Sequence, residues 1–185
     1  MVLSQLGITP TILEKLMRIL ALVGAMAIAV AIGAAIFFFG GFYSVAATAA
    51  EPGIINWALV NVRVASINRR ATENSPTLLN DPSAVQAGGR AFVASGWLNC
   101  HGGPGVKWAK FTEGMMPYLP DLKDIAKDRE APQLFWVVKN GIKMTGMPSF
   151  GSIGVSDQEI WTIVAFVKKL PTLSEADFKA WTAAP

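Results

Sequence analysis

Apolar residues are distributed unevenly along this chain. From Ile19 to Ala50 no residue carries a charge, and a membrane span needs only roughly 20 apolar residues. Lys15 and Arg18 precede the run and Glu51 follows it. The pattern predicts a single transmembrane anchor over residues 19–46 behind a short cytoplasmic lead, residues 1–18, in which Pro10 marks a helix start. Phe37, Phe38, Phe39, Phe42 and Tyr43 gather at the far end, as an interfacial aromatic belt does. Positive charge at the near end predicts a cytoplasmic N-terminus with the remainder outside. Small residues such as Gly24, Ala27, Ala31 and Ala35 fit either a closely packed transmembrane partner helix or an alanine-rich span that touches only lipid. The rival reading is a signal peptide cleaved near Ala47-Thr48-Ala49. That would have an apolar stretch of about 7–15 residues, and this one is much longer.

Beyond the anchor the pattern changes. In a connector over 47–82, Trp57, Leu59, Val60, Val64 and Ile67 alternate with polar residues and lead to Arg69-Arg70. This is either an amphipathic helix at the membrane surface or one that packs on the following domain. Asn74-Ser75-Pro76 and Asn80-Asp81-Pro82 are turn signals that close it. Residues 83–185 show helical punctuation and no good alternating strand. Segment 83–98 is helical by composition, with Gly88 and Phe92 four apart. Segment 131–140 has Pro132 in its first turn and Gly141 just past its end. Segment 156–170 opens with the capping pattern Ser156-x-x-Glu159, presents Ile160, Ile163, Val164, Val167 and Leu170 on one face, and stops at Pro171. Ser174-x-x-Asp177 opens a last short helix carrying Phe178 and Trp181. The expected fold is therefore all-α: one N-terminal transmembrane helix and a small helical domain. A domain of about 100 residues has a thin core, to which a large buried cofactor would add apolar interior.

Composition narrows the functions. The chain has 185 residues, is 52% hydrophobic and has a mean hydropathy of +0.39, which suits one span plus one small domain. A net charge of +3 is no nucleic-acid signature. Beyond the anchor, 14 Lys and Arg face 12 Asp and Glu, so the balance neither demands nor excludes an acidic partner. A lone cysteine excludes an internal disulfide framework. There is no phosphate-binding glycine loop, no carboxylate pair in a clear context, and no second histidine for a zinc site. Lys107, Lys110, Lys139 and Lys143 either ring a redox edge and steer an acidic partner or are ordinary surface lysines.

The chemistry concentrates in two places. Trp97-Leu98-Asn99-Cys100-His101 is the haem-attachment pattern C-x-x-C-H with Trp97 in place of the first cysteine; Cys100 and His101 are the chain's only cysteine and histidine. A thiol can add to a haem vinyl and the adjacent imidazole can reach iron. Asn140-Gly141-Ile142-Lys143-Met144-Thr145-Gly146-Met147-Pro148 follows the third helical segment. A thioether held there by a tight loop is a soft iron ligand, with Met147 flanked by Gly146 and Pro148 and with Met144 as a near competitor.

The order of helix, Cys-His, long loop, short helix, Gly-Met-Pro loop and capped helix resembles the class I, mono-haem c-type cytochromes in their membrane-anchored bacterial form. The residues that carry the resemblance are Gly102-Gly103-Pro104-Gly105, Pro120-Asp121-Leu122, Phe135 to Ile142, Lys143 to Gly151, the helix with Trp161, and Phe42 to Ala47 at the anchor exit. The resemblance implies His101 and Met147 as axial iron ligands and Cys100 as the thioether. It implies that the Pro120 carbonyl accepts the His101 Nδ1 proton, that Gly88 and Phe92 cross the Trp161 helix closely, and that Tyr118, Trp136 and Phe150 line the haem pocket.

Trp97 departs from the pattern. It leaves one haem vinyl unreacted, which moves the reduced visible bands to longer wavelength, and it must fit beside the porphyrin edge. The expectation is a mono-haem electron carrier with no catalysis of its own, tethered to the inner membrane of a bacterium with its domain in the periplasm. A dehydrogenase, a quinol-oxidising complex or a terminal oxidase would be its redox partner. The alternative is a haem-free structural or assembly subunit of a membrane complex that uses the cytochrome fold.

Overall fold

The computed structural model describes residues 10–183 and divides into two compact units, Met1–Ala49 and Ala50–Pro185. The first unit is one helix, α1 (Pro10–Phe39), of mean hydropathy 2.7 over its most apolar window. Thirty residues at about 1.5 Å each reach about 45 Å, more than the hydrocarbon core of a bilayer. Glu14 and Arg18 pair across one turn near its start. The helix begins earlier and ends earlier than the expected 19–46. Gly40 and Gly41 stop it, the latter at φ +70°, and residues 40–46 lie outside it.

The second unit is built of helices and loops, with one isolated bridge between Gly103 and Val106 as the sole β-type pairing among the described residues. Its helices are α2 (Gly53–Arg70), α3 (Pro82–Ala94), α4 (Trp97–His101), α5 (Leu122–Asp128), α6 (Ala131–Asn140), α7 (Asp157–Lys169) and α8 (Glu175–Thr182). The unit starts at Ala50, so the connector helix α2 belongs to the domain. Ile67 of α2 is buried and Asn68 Oδ1 accepts a hydrogen bond from Gln133 Nε2 of α6 at 2.7 Å.

The helix ends are fixed by side chains that satisfy otherwise orphaned N–H groups. Asp81 accepts from Ser83 N–H, Asp121 from Lys123 N–H, Ser156 from Glu159 N–H and Ser174 from Asp177 N–H. Glu130 and Gln133 form a reciprocal capping box at the start of α6. Lys168 of α7 donates from Nζ to the Ala126 and Arg129 carbonyls at 2.6 and 3.0 Å, closing the far end of α5.

The core is built around α7. Its expected stripe of Ile160, Ile163, Val164, Val167 and Leu170 is buried, and Trp161, Ala165 and Phe166 are buried as well. The helix is therefore covered on more than one face. Phe135 of α6 stacks on Trp161 with centroids 4.2 Å apart. On another side α3 crosses α7 so closely that a Cβ on Gly88 would lie 1.9 Å from the Thr162 carbonyl oxygen. Only hydrogen fits there. The expected single helix over 83–98 is broken after α3, because Gly96 turns the chain at φ +80° before α4 begins.

In an open helix, replacing glycine by alanine would add about 1 kcal/mol of stability. At Gly88 the collision with backbone reverses the sign. Gly88→Ala is expected to destabilise the domain by about 1–3 kcal/mol, read as a lower midpoint in thermal unfolding followed by circular dichroism. An unchanged or raised midpoint would contradict the close crossing.

Candidate functional site

The left-handed turn at Gly96 aims α4, a single helical turn, so that Trp97 faces the core and His101 ends the turn. The chain returns past α4 when Ala109 N–H donates to the Asn99 carbonyl at 2.8 Å, and it then runs on to Pro120. His101 Nδ1 lies 3.2 Å from the Pro120 carbonyl oxygen. A carbonyl can only accept, so Nδ1 carries the proton and Nε2 holds the free lone pair of the neutral ring. Burial pushes the His101 pKa below the ordinary histidine value, against the opposing pull of the Pro120 carbonyl and of Asp121. The pairing therefore supplies a neutral, oriented imidazole, the form that binds a metal. Cys100, next in the chain, is a half-buried free thiol.

Trp97 is a core residue, 6% exposed. Its indole stacks on the His101 ring at 5.6 Å and on Phe150 at 5.2 Å, with Phe92 tilted against it at 5.7 Å. Stacking covers a face of the imidazole and leaves the in-plane Nε2 lone pair unblocked. Trp97 Nε1 is buried and makes no hydrogen bond to any described residue, an orphaned donor of a kind that native interiors rarely keep. A cavity of about 360 Å³ opens beside His101, lined among others by Gly102, Trp108, Leu122 and Leu170. Met147, Trp136 and Phe150 are not among its lining residues.

The Met147 loop is fastened to the end of α6. Gly141 ends the helix at φ +69°, ψ −175°, a conformation essentially reserved for glycine. Ile142 N–H donates to the Met147 carbonyl at 3.1 Å, and Met147 N–H donates to Thr145 Oγ1, also at 3.1 Å. Ser149 Oγ and Phe150 N–H then donate to the Lys139 and Val138 carbonyls. Within this loop the two methionines part. Met144 adopts φ +58° and is 96% exposed, whereas Met147 is half-buried against the core.

The remaining candidates are spread out. Phe150 is buried against Trp97, Trp136 is half-buried on α6, and Tyr118 is 73% exposed, away from the core cluster. Of the four lysines, Lys139 pairs with Asp157 at 2.8 Å and Lys110 with Glu113 at 3.3 Å, Lys107 lines the cavity beside His101, and Lys143 is exposed. Sequence reasoning missed Met115, whose Cε sits 2.0 Å from where a Cβ on Gly146 would be, so that it covers the loop beside Met147. No local signal marks it, because the approach is made across more than 30 residues of chain.

His101 offers a nitrogen held in one tautomer, Cys100 an adjacent thiol and Met147 a thioether on a hydrogen-bonded loop, residue types that c-type haem proteins use. The helical unit is similar to a small cytochrome c domain, a fold of electron-transfer proteins that hold c-type haem covalently. Residues 84–167 match the family described as cytochrome c oxidase, cbb3-type, subunit III, a stretch wholly within the helical unit. No curated protein and no solved structure matches the chain.

Gly141 is the hinge of the Met147 loop, and a Cβ there would lie 2.7 Å from the Pro148 carbonyl carbon. Gly141→Ala is expected to cost about 1–3 kcal/mol from the backbone conformation alone, and to release the loop. Hydrogen exchange at the Ile142 and Met147 amides checks this. Faster exchange in the variant is expected, and unaltered protection would show that the glycine is not required.

Proposed function

We propose that this chain is a membrane-tethered mono-haem electron carrier, with α1 as its anchor in a bacterial inner membrane and the domain in the periplasm. The observation that carries the reading is the His101 ring, fixed through Nδ1 on the Pro120 carbonyl with Nε2 left free. Iron bound in that haem supplies a one-electron couple. His101 and Met147 would both hold the iron and leave no open site for a substrate, which favours a carrier over an enzyme. Thioether ligation opposite histidine favours a raised potential.

Cys100 is the single point of covalent attachment. Its sulfur would bond to one vinyl carbon while its proton passes to the other, an addition that needs no oxidant. Trp97 offers no thiol, so a second vinyl would stay unreacted, and the indole contributes a buried Nε1 donor without a partner. Phe150 and Trp136 contribute apolar walls, which keep the charged states of the iron poorly solvated. Tyr118, which is exposed, would reach the haem only from the solvent side. The partner is a second redox protein: a dehydrogenase, a quinol-oxidising complex or a terminal oxidase. The family match favours the oxidase. A tether holds the domain at high local concentration beside such a membrane partner.

Trp97 gives one reason to weigh a haem-free subunit. It stands in place of the first thiol of the attachment pattern and packs in the core among Phe92, Phe150 and His101. A pyridine haemochrome spectrum with a haem-stained denaturing gel separates the two readings. We expect a stained band that Cys100→Ser abolishes, and an α-band between those of two-thioether and non-covalent haem. Trp97→Cys, although less stable, is expected to move the band to the two-thioether position. A chain that carries no haem from a host that matures other c-type cytochromes would overturn the carrier.

Met147→Leu is expected to let carbon monoxide bind the reduced protein, whereas Met144→Leu leaves it unreactive. Binding to the unaltered chain, or an effect of Met144→Leu equal to that of Met147→Leu, would remove Met147 as a ligand.

A further inference from the structure

Helix α2 has two halves of different character. The C-terminal half is docked, through buried Ile67 and the Asn68–Gln133 hydrogen bond, onto α6. The N-terminal half, residues 53–62, contains no charged residue, and none of its side chains is buried. Ile54, Trp57, Leu59 and Val62 are 59 to 71% exposed, spread around more than half of the helix circumference. Scattered exposed apolar residues need no explanation, but a contiguous set of this size marks an interaction surface.

We propose that the N-terminal half of α2 lies in the interfacial layer of the lipid bilayer. The proposal rests on α1 being the membrane anchor. Three observations favour lipid as the occupant. Thirteen residues separate Phe39 from Gly53, so even a fully extended link keeps Gly53 within about 45–50 Å of the end of α1. The helix carries Arg63, Arg69 and Arg70 and no acidic residue, a charge that complements anionic headgroups. Trp57, among the exposed apolar residues, is of the type enriched where hydrocarbon meets headgroup. Because the other half of α2 is fixed to α6, insertion holds the domain in one attitude to the bilayer. It also sets the height of the Met147 loop, which leaves the end of α6.

The test uses the full chain with its haem, reconstituted in vesicles of phosphatidylethanolamine and phosphatidylglycerol. These are doped with phosphatidylcholine bearing a photoactivatable diazirine high on its acyl chain. After illumination, adducts are located by peptide mass spectrometry. Adducts are expected within residues 54–62 as well as in α1. In the double variant Ile54→Asp/Val62→Asp, whose changed residues are solvent-exposed in the domain, the α2 adducts are expected to fall to background while those in α1 persist. Labelled α1 with unlabelled α2 would overturn the proposal and leave the anchor standing, whether water or a protein covers the face. Unlabelled α1 would overturn the anchor, and this proposal with it. Unchanged α2 labelling in the double variant would likewise show that the apolar face does not drive the contact.

Discussion

The constraint on which the domain depends is the crossing of α3 and α7 at Gly88. Two backbones can approach this closely only where one helix lacks a side chain, and Thr162 fills the space that a Cβ would need. The crossing sets the spacing of Phe92 and Phe166, whose rings lie 5.3 Å apart. It also directs the chain that leaves α3 into the Gly96 turn and then α4. The position of His101 is thus inherited from a packing contact 13 residues upstream. On the opposite side of α7, the Phe135–Trp161 stack fixes α6, and with it the start of the Met147 loop. One helix therefore positions both His101, through α3 and α4, and the Met147 loop, through α6.

Much of this was legible in the sequence because it is local. Caps at Ser156 and Ser174, the Pro132–Gly141 frame and the apolar stripe of α7 depend on residues three or four apart, and backbone hydrogen bonding fixes what they do. The thiol beside an imidazole is equally local. What stayed hidden is tertiary. Nothing near Met115 announces that it covers Gly146, and nothing near Met144 announces that it points into water while Met147 turns inward. The division of α2 was hidden for the same reason. Its composition suits lipid and protein alike, and only the Asn68–Gln133 bond and buried Ile67 reveal which half is docked on the domain. The break at Gly96 was within reach, since glycine before a new helical turn is a recognised stop signal, but helical composition on both sides masked it.

The order of the site is graded. The His101 ring is held by a hydrogen bond, by stacking and by burial together, so its freedom is small. The Met147 loop is held by backbone and hydroxyl hydrogen bonds at the surface of the domain. Such loops open locally at a lower free energy than core helices do. The Met147 loop is accordingly the part of this region that would open first.

Trp97 stands at the place where its sequence pattern has a thiol, yet it is packed against three rings, those of Phe92, His101 and Phe150. Exchange for cysteine would regain the missing sulfur and empty an indole-sized volume in the same step, and large-to-small changes of this kind typically cost about 3–5 kcal/mol. Phe92 and Phe150 would have to change as well before the smaller residue could be accommodated without loss. The single-thiol motif is therefore locked in by its neighbours: a second cysteine at this position requires the surrounding aromatic cluster to be rebuilt with it.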